Sequence, residues 1–219
     1  ALRGSSTWDG RGQRYSIVLS PEGSLAFQRE RGELRLGAGL DLAYEPGVAV
    51  SLDGVSGDIS LDHALQRDLL LRTSVTLDGA RETINAVTSS SNEQTGALSL
   101  LGNADLEIEK QAGRTAITLG GSASRRYIGD TTLVGGTLSS NADRSWIGFG
   151  LRARGSYKLT PILTPYVEFM ADRAYYDAVS AGTGVRSDNW TYQATAGVTG
   201  TWSNGMTAEL YGGYGLVQY

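Results

Sequence analysis

Four charged residues late in the chain are spaced so that they can meet. Arg152 and Arg154 precede a Thr160-Pro161 pair, and Glu168 and Asp172 follow it. If the flanking segments are the two strands of a hairpin, even-numbered positions on both project to one side. Arg152 and Arg154 then lie within cross-strand reach of Glu168 and Asp172. Such a cluster can filter solutes by sign in a narrow passage. It can equally form a ladder of ion pairs that satisfies its own charges and stiffens a wall, which is the reading these residues favour. An earlier acidic row, Asp105, Glu107 and Glu109, has the same spacing and is expected to face Arg114 and its neighbours.

Catalytic chemistry has little to work with. His63 is the one imidazole, and the adjacent Asp62 would lie on the opposite side of a strand. No nucleophile motif of the G-x-S-x-G kind accompanies it. His63 is therefore expected to be solvated or to face an interior, and no catalytic residue is assigned. The stretch TTLVGGTLSS at 131–140 has paired glycines but no helix after it to cradle a phosphate. The polar run 88–92 reads as a loop. Cysteine is absent and methionine is scarce, so neither a metal site nor a cofactor is expected. A net charge of −4 gives no basic footprint for nucleic acid.

The elements that must position these residues read as strands. In 189–203 the even positions are Trp190, Tyr192, Ala194, Ala196, Val198, Gly200 and Trp202, while the odd positions are mostly threonine. A strand in a soluble sheet usually has about 5–6 residues. One that crosses a bilayer needs about 9–11, with aromatic girdles where lipid meets water. Trp146, Trp190, Trp202 and Tyr192 are accordingly expected in an interfacial belt. Other segments alternate in the same way. Leu34, Leu36, Leu40 and Leu42 oppose Arg35 and Asp41; Leu98, Leu100, Leu106 and Ile108 oppose Asp105, Glu107 and Glu109; Ile147, Phe149 and Leu151 oppose Arg152 and Arg154. No apolar run approaches the roughly 20 residues of a spanning helix. A content of 40% apolar residues suits a wall of which only alternate side chains meet lipid.

Turn signals divide the chain into hairpins. They fall at Gly32, Asp78-Gly79, Ala112-Gly113, Thr160-Pro161 and Asn204-Gly205, the last expected as a two-residue turn with positive φ at both positions. Longer polar stretches at 46–59, 89–93, 129–141 and 179–188 separate the hairpins, and Pro21 within the first strand demands a bulge or a position that donates no hydrogen bond. Short turns alternating with long loops are the habit of bacterial barrels. The expected fold is all-β, an antiparallel transmembrane β-barrel of about ten strands over 14–219, preceded by an N-terminal segment 1–13. With short turns on the periplasmic side, the first strand runs inward and the last ends outside. A parent barrel of about twelve strands or more is expected on that count.

The segments "LTPILTPYVEFMADRAYYD" (159–177) and "YQATAGVTGTWSNGMTAELYGGYG" (192–215) resemble two hairpins of a Gram-negative outer-membrane β-barrel family, the β-barrel porins. "SPEGSLAFQRERGELRLGAGLDLAY" (20–44) resembles an early hairpin of the same family. The resemblance implies an outer-membrane location and a non-enzymatic role as a channel or export conduit for hydrophilic solutes or polysaccharide. The alternatives are an anchor subunit of an envelope assembly with a plugged lumen, or an autotransporter-type translocator. Expected partners are the lipid bilayer and lipopolysaccharide, with envelope-assembly or polysaccharide-export proteins beside them.

Overall fold

In the computed structural model the residues described are 2–9, 12–44, 50–81, 93–133, 135–180 and 182–219. The strands are β1 (Leu2–Asp9), β2 (Gly12–Leu19), β3 (Glu22–Arg29), β4 (Gly32–Tyr44), β5 (Ser51–Gln66), β6 (Leu69–Arg81), β7 (Glu93–Thr95), β8 (Leu98–Ala112), β9 (Thr115–Ile128), β10 (Thr131–Leu133), β11 (Leu138–Ser139), β12 (Trp146–Tyr157), β13 (Leu163–Tyr176), β14 (Asn189–Thr201) and β15 (Thr207–Gln218). A 12-stranded sheet runs β1-β2-β4-β5-β6-β8-β9-β12-β13-β14-β15, with β3 also on β4, and its neighbours pair antiparallel. The sheet is open, with β15 at one edge and β1 and β3 at the other.

Ser20 and Pro21 interrupt what the alternation presents as one strand. β2 pairs with the end of β4 and β3 with the rest of it, and the Leu40 N–H donates to the Pro21 carbonyl at 3.1 Å. The proline thus sits where no ladder donor is needed. Residues 2–9, read above as part of a leading segment, pair with β2 along their whole length.

One turn expectation is overturned. Asp78-Gly79 lies inside β6, and the hairpin between β5 and β6 closes at Arg67 and Asp68 instead. A Cβ at position 79 would stand 2.7 Å from a Leu100 methyl and 2.8 Å from a Val55 methyl. Gly79 therefore makes room for larger neighbours on both adjoining strands. Residues 51–59, expected in a loop, consequently belong to β5, and Ala80 and Arg81 end β6. The remainder of the expected strand 80–88 and the run 88–92 lie outside the described residues.

The Asn204-Gly205 hairpin exists with a different turn. Among the described residues only glycines have positive φ, Gly205 among them at 82°. The Trp202 N–H bonds the Met206 carbonyl, the Gly205 N–H bonds the Trp202 carbonyl, and the Asn204 side chain accepts from the Met206 N–H at 3.0 Å. This is a three-residue loop closed by a left-handed glycine, one of the common hairpin solutions. The β8–β9 turn lies one residue beyond the expected site, at Gly113 and Arg114, with Gly113 at φ 60°. At the β12–β13 turn, Thr160 Oγ1 accepts from the N–H groups of Ile162 and Leu163 at 3.3 and 2.9 Å.

All these short turns lie along one border of the sheet, and the longer connections lie along the other. In the connection after β9, β10 and β11 pair with each other and β10 with β7, giving a separate three-stranded sheet. Asn141 ties it down by donating to the Gly129 carbonyl and to Thr131 Oγ1, both at 2.8 Å.

Replacing Gly205 by alanine is expected to cost about 1 kcal/mol through the left-handed backbone, and replacing it by asparagine noticeably less. Urea unfolding of the protein reconstituted in vesicles measures both.

Candidate functional site: the charged face of the sheet

Directly paired residues in an antiparallel ladder point to the same side, so the register sorts every side chain. One side carries the row Phe27, Leu34, Leu61, Thr73, Leu106, Gly121, Leu151, Ala171, Tyr192 and Leu216, traced through successive pairs. The next row, on the other side, reads Gln28, Glu33, Asp62, Arg72, Glu107, Gly120, Arg152, Met170, Gln193 and Gly215. Large apolar residues on the first side are bare: Leu151 is 71% exposed and Phe169 61%.

The charged side holds a connected network. Arg72 reaches Glu107 at 2.7 Å, Glu109 at 2.9 Å and Asp62 at 4.0 Å. Glu107 also pairs with Arg152 from two strands away. That reach is possible because the intervening residue of β9 is Gly120, which has no side chain to separate them. Arg154 stands opposite Glu168 in register and pairs with it at 3.6 Å, and with Glu209 of β15 at 3.5 Å. Its guanidinium lies 3.6 Å above the Tyr166 ring, which itself lies over Gly197.

The four residues singled out in the sequence thus share one face, but only Arg154 and Glu168 meet. Arg152 stands opposite Met170 and turns to β8. Asp172 leans with Ser122 over Gly150, where a Cβ would overlap both, and makes no ion pair among the described residues. In the acidic row Glu107 and Glu109 are served by Arg72 and Arg152 rather than Arg114, because those arginines share their face and lie level with them, and Asp105 accepts from the Ser74 hydroxyl at 3.5 Å. Arg72, Glu209 and Tyr166 escaped the sequence reading, since partners beyond one hairpin depend on strand order. Across strands β3–β15 this face carries the acids Glu22, Glu33, Asp41, Asp58, Asp62, Asp78, Asp105, Glu107, Glu109, Glu168, Asp172 and Glu209, which outnumber Arg35, Arg72, Arg126, Arg152 and Arg154. A notch of about 280 Å³ opens between Asp105, Glu107, Arg152 and Asp172. No group of three or more metal-ligating side chains is gathered among the described residues.

The aromatic residues divide. Trp190 and Trp202 both belong to the apolar side of β14, at its two ends, and Tyr192 stacks on Trp190 with ring centroids 5.7 Å apart. Twelve residues of strand separate the two tryptophans, about 40 Å of extended chain; tilted by about 45° this spans roughly 28 Å, close to a hydrocarbon core. Trp146 departs from the expectation. Its register partners are Arg126 and Tyr176, and its ring lies against Gly148 on the charged side. His63 likewise moves, standing beside Gly32 and Leu71 on the apolar side, next to the short-turn border.

A model of the family described as "Putative beta-barrel porin 2" matches residues 4–219. The chain belongs to that family. No curated protein matches it.

For a β-barrel porin the two sides of the sheet have distinct surroundings. Membership gives the all-β antiparallel sheet its porin-like character; the sheet itself is open. At the long-loop border of the sheet, Arg125 grips Asp177 with two bonds of 2.6 and 2.5 Å. Those bonds hold the Asp177 carboxyl below the usual carboxylate range. A lowered folded value means the pair stabilises the border above the ordinary aspartate pKa, about 3.9, and is lost as pH falls through the lower value.

A carbon-detected NMR titration of Asp177 is expected to show it ionised below the ordinary aspartate range, and Arg125→Ala is expected to bring it back up. On the charged face, a double-mutant cycle of Glu107→Gln with Arg152→Met is expected to give a coupling of about 0.5–2 kcal/mol in unfolding. Exposure of these partners keeps it modest.

Proposed function

We propose that this chain forms the wall of a non-enzymatic outer-membrane channel. Its apolar side meets lipid, and its charged side lines an aqueous lumen that passes small hydrophilic solutes with a preference for cations. The observation that carries this is the division of the sheet into two chemically opposite sides along strands of up to 16 residues. Porin family membership supports the same reading. A charged side chain turned to lipid near the midplane costs about 2–4 kcal/mol for Arg or Lys, so the side bearing Arg72, Arg152 and Arg154 belongs against water.

A spanning sheet must also close, because every unpaired backbone group in hydrocarbon costs several kcal/mol. The open edges of β15 and of β1 with β3 are therefore proposed to be paired in the membrane, with each other or with further strands. β3 runs opposite to β15, so an antiparallel closure there is allowed. The acid excess around Asp105, Glu107, Glu168 and Asp172 supports the cation preference.

Planar-bilayer recording tests the proposal. Expected are discrete conductance steps and a reversal potential, under a salt gradient, on the cation-selective side. Asp172→Asn with Glu168→Gln is expected to shift that potential toward zero, and Arg154→Gln to shift it the other way. Membrane insertion without conductance would overturn the channel and leave an anchor with a plugged lumen.

A further inference from the structure

Three cations lie on the apolar side of the strands from β8 to β14, and one of them has no anion beside it among the described residues. Lys110, at the short-turn border, pairs with Asp68 at 2.6 Å. Arg125, at the other border, holds Asp177. Arg173 of β13 stands level with Phe149 and Trp190 on this same side. Its guanidinium lies 4.8 Å from the Tyr175 ring and 5.3 Å from the Trp190 ring, and among the described residues no carboxylate pairs with it. Its Nε is buried and donates to nothing.

That arrangement is costly unless something completes it. Arginine does not lose its proton in proteins, and a cation facing hydrocarbon with only π faces around it is poorly compensated. The rings fix the guanidinium, and its terminal N–H groups, unlike the buried Nε, are left to an acceptor from outside the chain. A groove of about 630 Å³ runs over the small residues Ala104, Gly121 and Ala123, between Leu106, Leu151 and Trp190, and Arg173 lines one end of it. Its walls are apolar, its volume is that of a ligand pocket, and its charged end sits at the border where headgroups begin.

We propose that Arg173, with Tyr175 and Trp190, binds the phosphate of an anionic lipid in the leaflet on the long-loop side, with the lipid's acyl chain lying in the groove. The phosphate supplies two oxygens that can accept from the planar guanidinium fork, and the bilayer supplies it at high local concentration. The apolar wall and the cation thus recognise the two halves of one molecule. This rests on the reading that the apolar side meets lipid.

Native mass spectrometry of the detergent-solubilised protein tests it, with phosphatidylglycerol and phosphatidylcholine of matched chains added in competition. Retention of phosphatidylglycerol is expected to exceed that of phosphatidylcholine by about tenfold, the worth of one charge-assisted contact. Arg173→Gln is expected to abolish the difference, and Arg173→Lys to keep part of it. Gly121→Leu, which leaves Arg173 in place and fills the groove, is expected to reduce retention of both lipids. Equal retention by the unaltered chain, or a preference that survives Arg173→Gln, would overturn the site. Displacement by millimolar inorganic phosphate as effective as by lipid would also overturn it, since the groove would then contribute nothing. A protein that conducts but shows no lipid preference fails here alone; one that shows the preference without conducting fails only as a channel.

Discussion

Everything in this molecule depends on the two-residue alternation of the extended chain, held across a fully hydrogen-bonded antiparallel sheet. A one-residue slip in any ladder would carry that strand's charges to the opposite side. The register is strict where the charges are densest, from β6 through β14. Within the 12-stranded sheet it shifts in β4–β5, at Asp41 and Leu42, and in β5–β6, between Ala64 and Gln66. With the apolar side against lipid, as proposed, the two sides are energetically unequal: an apolar side chain on the charged side loses little, whereas an arginine turned to lipid is expensive. The charged residues therefore set the register more firmly than the apolar ones do.

Within that frame, small residues decide who meets whom. Gly120 lets Glu107 and Arg152 join across an intervening strand, and Gly150 accepts Asp172 and Ser122 leaning over it. Gly197 receives the Tyr166 ring on which Arg154 rests. The ion pairs are individually modest, being partly exposed. Their effect is to fix long side chains in place, so that a charged wall keeps a defined shape while remaining wetted. On the opposite side the same device, through Ala104, Gly121 and Ala123, produces a groove rather than a network.

The alternation was legible because it is local: the strip from Trp190 to Trp202, and the side taken by Arg152, Arg154, Glu168 and Asp172, follow from counting. What was not legible involves neighbours distant in sequence. Asp78-Gly79 carries the same local signal as a hairpin turn, yet Gly79 is small because Val55 and Leu100 crowd it from two other strands. The true turn at Arg67 and Asp68 has no glycine to announce it. Arg152 was assigned to the nearest acids by hairpin logic, but its partner comes from β8, beyond β9. Trp146 was placed in the aromatic belt by its position at a strand end, whereas its even number already put it with Arg152. Arg173 was overlooked although its odd number set it beside Phe169 and Val167.

The central claim is that one side of the sheet faces water and the other faces lipid. The chain has no cysteine, so single cysteines can be introduced along β12 and β13 and probed in membranes with a charged, membrane-impermeant thiol reagent. The account predicts labelling with a period of two: strong at positions 152, 154, 168 and 172, and weak at 149, 151, 167 and 169. Equal labelling of both sets would contradict it, and would make this an ordinary sheet in water.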